Sequence, residues 1–179
     1  RTLDIAVIDD GTELFSYIAD ELQKNFYVRR FTGKGHWASG EGDTVNMILS
    51  SEPDVLVNGS KIAVLGAFSD YKRMRHRSFD YCIADSTSDI QMDTLLCSHL
   101  PVITCGCSSK DTFSYTSHTD DFLTVSLNRT LVTLSGKSVQ PFEIPRPIKN
   151  GENIYNVLAL TAVSLLLYDD SCGFSKICS

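Results

Sequence analysis

Short apolar runs of strand length recur along the first hundred residues, and what separates them constrains the fold more than any other feature. The runs are Leu3 to Ile8, Phe26 to Phe31, Asp54 to Val57, Asp80 to Ala84 and Pro101 to Cys105. Between the first two, Phe15, Ile18, Ala19 and Leu22 recur at helical spacing behind Thr12, a residue able to cap a helix. A second helix-like stretch covers Met92 to His99, and Thr44 to Leu49 reads as a short helix. Ile62 to Leu65 reads as strand or helix. Strand alternating with helix implies crossover connections, and hence an α/β fold with a mainly parallel, Rossmann-like sheet flanked by helices.

The pattern changes after Cys105. Phe113 to Thr116, Phe122 to Leu127, Leu131 to Leu134 and Val139 to Ile144 read as strands, with Ser135-Gly136-Lys137 as a turn, so an antiparallel section is expected near residues 113–144. Asn150-Gly151 then leads into an apolar helix from Glu152 to about Tyr168. Because that helix is apolar almost all round, it is expected to be buried, in the fold or in a partner interface. A single domain over residues 1–168 is the expectation, and residues 169–179, which lack periodicity, read as an unstructured tail.

With 179 residues, about two-thirds or more of the unfolded surface can be buried in one core, so no metal or disulfide staple is needed. The formal charge of -6 repels nucleic-acid phosphate. The one dense basic run, Lys72, Arg73, Arg75, His76 and Arg77, reads as a solvated face or an anion site. The apolar stretch from Val157 to Tyr168 is too short to span a bilayer. Leu3 to Asp10 is a strand-like run ended by acids rather than a secretory signal, so neither nucleic acid nor membrane is expected as a partner, and the cytoplasm is the expected location. There the six cysteines, Cys82, Cys97, Cys105, Cys107, Cys172 and Cys178, stay reduced; none has C-x-x-C spacing, and Cys82 and Cys105 read as buried thiols.

Two linked segments carry a family resemblance. Val102-Ile103-Thr104-Cys105-Gly106, and after a strand-rich stretch Gly151-Glu152-Asn153-Ile154-Tyr155-Asn156-Val157-Leu158-Ala159-Leu160, resemble the closing part of the Mur ligase central domain. Asn153 and Asn156 match that family's asparagines, while Glu152 stands where its histidine would be. Ile5-Ala6-Val7 before a glycine turn and Pro53-Asp54-Val55-Leu56-Val57 are similar to its first strand and to a later one. The resemblance spans residues 3 to 168 and implies a central-domain-like chain without the family's two flanking domains.

It departs from the family at the first strand-to-helix corner. A phosphate loop cradles phosphates on backbone N–H groups, with a lysine for charge and a Ser or Thr for magnesium. Here the corner reads Ile8-Asp9-Asp10-Gly11-Thr12-Glu13, with Thr12 at the lysine position. Each nearby acid repels a phosphate charge by about 4 kcal/mol at ~4 Å and an effective dielectric near 20.

A non-catalytic binding or accessory domain is therefore expected, acting on an unidentified protein partner or as a homo-oligomer and needing no cofactor. If nucleotide binding survives, the resemblance implies Gly11, Thr12, Asn153 and Asn156 as its residues. Alternatively Asn153 caps the last helix and Asn156 lies on its exposed face. The competing expectation is a small magnesium-dependent, nucleotide-using or ligase-type enzyme, with Asp9 and Asp10 holding the cation that bridges ATP.

Thr32 to Asp43 is rich in glycine and reads as a loop, in which Lys34 offers an anion contact and His36 and Trp37 a stacking surface or a simple anchor. Asp10-Gly11 with His36 also resembles the aspartate box of subtilisin-like proteases, but no serine nucleophile motif follows. His76, His99 and His118 are isolated, and no Cys/His cluster has metal-ligand spacing.

Overall fold

The computed structural model describes residues 2–51, 60–67, 79–96 and 98–168. The expected strand at 54–57, the basic run at 72–77, Cys97, Cys172, Cys178 and the tail 169–179 lie outside the described residues. Contacts group the chain into two compact units, Arg1–Val102 and Ile103–Ser179.

In the first unit, β1 (Thr2–Ile8), β2 (Tyr27–Thr32), β4 (Thr44–Ser50), β5 (Ser60–Leu65) and β6 (Tyr81–Asp85) run parallel. They stand in the order β6-β5-β1-β4-β2, and β3 (Gly35–Ser39) closes the row antiparallel to β2. The helix α1 (Glu13–Leu22) buries Leu14, Phe15, Ile18, Ala19 and Leu22, the stripe expected from the spacing. On β1, β5 and β6, Ala6, Ile8, Ala63, Leu65, Cys82 and Ala84 cluster with Phe79 and with Leu95 of α2 (Asp89–Leu95). Fully buried surroundings push the Cys82 thiol up to about 12, which keeps it an inert core group.

Two local expectations fail here. Thr44 to Leu49 is not a helix but part of β4, with Val45 and Met47 buried at a period of two. A parallel strand covered on both sides reads as a near-continuous apolar run, and over six residues its period is hard to separate from a helical one. The glycine-rich stretch is not all loop either: Gly35–Ser39 is β3, paired with β2 so that Phe31 faces His36 and Arg29 faces Ala38. Pairing with a buried neighbour supplies the order that composition did not signal.

In the second unit β8 (Phe113–His118), β9 (Phe122–Leu127) and β12 (Phe142–Pro147) pair antiparallel, and β8 lies parallel to β7 (Val102–Cys105). A two-stranded ladder joins β10 (Leu131–Val132) to β11 (Ser138–Val139). The antiparallel section thus stands where the sequence placed it. In α3 (Ile154–Leu167) every residue from Asn156 to Leu166 is buried, as an all-round apolar helix must be.

Candidate functional site

In open α/β sheets ligands gather at the carboxyl ends of the strands, where successive connections leave in opposite directions. In the first unit that point is the end of β1: α1 leads to β2 on one side, whereas β5 lies on the other. Asp9, Asp10, Gly11 and Thr12 occupy it.

The corner is tied down by main-chain bonds. Asp9 N–H donates to the Ser50 carbonyl at 2.9 Å, Asp10 N–H to the Ala67 carbonyl at 2.8 Å, and Gly66 N–H to the Ile8 carbonyl at 2.7 Å. The Asp9 carboxylate folds forward and accepts the Gly11 N–H at 2.8 Å. Such an Asx turn supplies, from within the chain, an anion for an amide that a phosphate loop leaves open. Thr12 occupies the N-cap position, but its hydroxyl makes no capping bond, so the cap expected from the sequence is not made.

Asp9 is 7% exposed. Burial raises its carboxyl above the ordinary range, the Gly11 N–H opposes the rise, and the charges of Asp10 and Glu13 add to it. Between the unfolded and folded values the folded chain holds more protons, so stability falls as the pH rises through that window. Asp9→Asn keeps an acceptor for Gly11 without the charge. Its denaturation midpoint at pH 7 is expected above that of the wild type, the advantage shrinking as the pH falls to about 4. A constant difference across that range would contradict a buried, titrating Asp9.

Three residues without any motif support this corner. Gly66 lies against the Asp9 side chain, and a Cβ there would meet Oδ2 and come within 2.6 Å of Cγ. Buried Gln91 donates from Nε2 to the Gly66 carbonyl at 2.9 Å and accepts the Asp85 N–H at Oε1 at 2.7 Å, joining the ends of β5 and β6. Asp85 also accepts from the Thr87 N–H and hydroxyl at 2.9 and 2.7 Å. A glycine directly after an apolar strand was the one signal for Gly66; nothing in the sequence marked Gln91. Gly66→Ala is expected to cost about 2 kcal/mol in the wild type and less in an Asp9→Ala background, where only the residue-9 Cβ, at 2.9 Å, still opposes the new methyl. Equal costs in the two backgrounds, measured by urea unfolding, would refute the contact.

The remaining sequence candidates lie elsewhere. Lys34 sits in the β2–β3 turn, where its N–H donates to the Thr32 hydroxyl at 3.2 Å. His36 and Trp37 lie on β3, which β4 and β2 separate from β1, so the structure does not gather them with Asp9 and Asp10. In the second unit Asn153 caps α3, its Oδ1 accepting the Tyr155 N–H at 2.9 Å. Asn156 is buried, 6% exposed, which corrects its placement on an exposed helix face: α3 is enclosed on all sides. Among the described residues no three His, Cys, Asp or Glu side chains come together as metal ligands, and no helix is long and apolar enough to cross a membrane.

No family model and no curated protein matches the sequence. Solved structures do resemble it. A murein peptide ligase from Psychrobacter arcticus aligns with a TM-score of 0.61 at 12% identity, over 99% of this chain and 46% of that one. MurF from Acinetobacter baumannii aligns at 0.55 and 11% identity, over 99% and 45%. The UDP-N-acetylmuramate:L-alanyl-gamma-D-glutamyl-meso-diaminopimelate ligase from Neisseria meningitides aligns at 0.56 and 11% identity, over 99% and 64%. The chain therefore has a Mur-ligase-like fold and spans less than two-thirds of each of these proteins.

Proposed function

We propose that this chain is a Mur-ligase-like binding or accessory domain that does not turn over ATP. The observation that carries this reading is the Asp9 carboxylate on the Gly11 N–H. Phosphate would have to displace that carboxylate and then sit beside Asp10 and Glu13, with Thr12 where a lysine would neutralise it. Its partner is then another protein or a second copy of itself, and it works without a resident cofactor. Asn153 spends its side-chain oxygen on the α3 cap, which leaves Oδ1 committed rather than offered to a nucleotide.

A magnesium-dependent, ligase-type activity is the second reading, with Asp9 and Asp10 as its cation ligands, favoured by the negative charge of Asp10 and Glu13 felt at Asp9 and by the fold's likeness to ligases. The two readings part in one experiment. The pure protein is expected to hydrolyse no ATP above background in magnesium buffer, with ATP and magnesium raising its melting temperature by less than about 1 °C. Steady turnover abolished by Asp10→Asn would overturn the accessory reading in favour of the enzyme.

A further inference from the structure

The β2–β3 hairpin carries a feature that the helix corner does not use. Tyr27, Arg29 and Phe31, alternate residues of β2, line an open hollow of about 490 Å³ with His36, Trp37 and Ala38 of β3. The register explains the space. Ala38 stands opposite Arg29 and offers only a methyl group, while His36 stands opposite Phe31.

Both ends of the hollow are chemically distinct. At one, the Arg29 guanidinium lies 5.8 Å from the centre of the Tyr27 ring. At the other, the Phe31 and His36 rings stack 6.2 Å apart at 20°. Phe31 is 38% exposed on this face, whereas Trp37, paired with Arg30, turns its side chain to the other. The neighbouring Arg30 is spent on Asp20 and Gln23, at 2.7 Å each. Among the described residues Arg29 makes no ion pair; its guanidinium lies over the Tyr27 ring and lines the hollow.

We propose that this hollow binds a small aromatic carboxylic acid. The ring lies over Ala38 against the Phe31 and His36 stack, and the carboxylate takes the planar fork of Arg29. Charge selects a monoanion. One guanidinium makes one bidentate pair, which matches a single carboxylate.

His36 stands opposite Phe31 on this face, so its ring proton chemical shifts report it directly. Phenylacetate at pH 7 is expected to change them saturably at about 1 mM, in line with a ligand of that size. Phenylacetamide, which has the ring without the charge, and acetate, which has the charge without the ring, are each expected to bind at least tenfold more weakly. Arg29→Gln, at an exposed site, is expected to weaken phenylacetate tenfold, Ala38→Leu to abolish the response by filling the hollow, and Lys110→Gln to leave it unchanged. No saturable change below about 10 mM would overturn the proposal. So would equal affinity for phenylacetamide, wild-type affinity in Arg29→Gln, or a peptide ending in phenylalanine that binds tenfold tighter than the free acid.

Discussion

Alanine in place of Gly40 is expected to lower the unfolding free energy by about 3 kcal/mol or more. Gly40 holds φ at +91°, and a Cβ there would run into the Phe26 carbonyl oxygen and come within 2.6 Å of the Gln23 carbonyl oxygen. Both obstacles are backbone atoms of the turn that leaves α1. That turn is held by Phe26 N–H to the Leu22 carbonyl at 2.9 Å and Gln23 N–H to the Ala19 carbonyl at 3.0 Å, so it cannot retreat without losing bonds. Gly33→Ala in the same hairpin is the comparison, because nothing lies within 4 Å of its added methyl. Urea unfolding followed by Trp37 emission checks the difference. Indistinguishable midpoints for the two variants would show that the turn yields more easily than its bonds suggest.

Phe15→Ala should be at least as damaging, at about 3–5 kcal/mol, the usual loss for an aromatic removed from a core. Phe15 is 1% exposed and belongs to the face that fastens α1 to its sheet. Since α1 begins at Glu13, directly after the acidic corner, loosening it also loosens the loop that presents Asp9 and Gly11. Phe15→Leu keeps most of the volume and is expected to cost less than half as much. A calorimetric melting temperature for Phe15→Ala within about 2 °C of the wild type would exclude this role.

Several elements are legible in the amino-acid sequence itself. Phe15, Ile18, Ala19 and Leu22 share one side of a helix because 3.6 residues make a turn, and α1 formed with that side buried. The apolar helix after Gly151 had nowhere to go but inside, and α3 lies there. The antiparallel section after Cys105 showed in the short alternating runs that became β8, β9 and β12. By contrast β4 and β3 were misread as helix and loop. Each is a strand because of what it pairs with, β4 between β1 and β2, β3 against β2, and no local window contains that partner.

The candidate site divides in the same way. Asp9, Asp10, Gly11 and Thr12 were noticed as a run because covalent neighbours must share a corner, and the absence of a lysine there is a property of composition alone. That Asp9 turns its carboxylate onto the Gly11 N–H, and that Gly66 just past β5 and Gln91 of α2 brace it from more than fifty residues away, was decided by tertiary structure. Periodicity and residue chemistry act over a few residues and are written into the chain itself. Sheet order, strand register and the partner of each buried polar group depend on contacts between distant segments, whose energies exist only once the chain has folded.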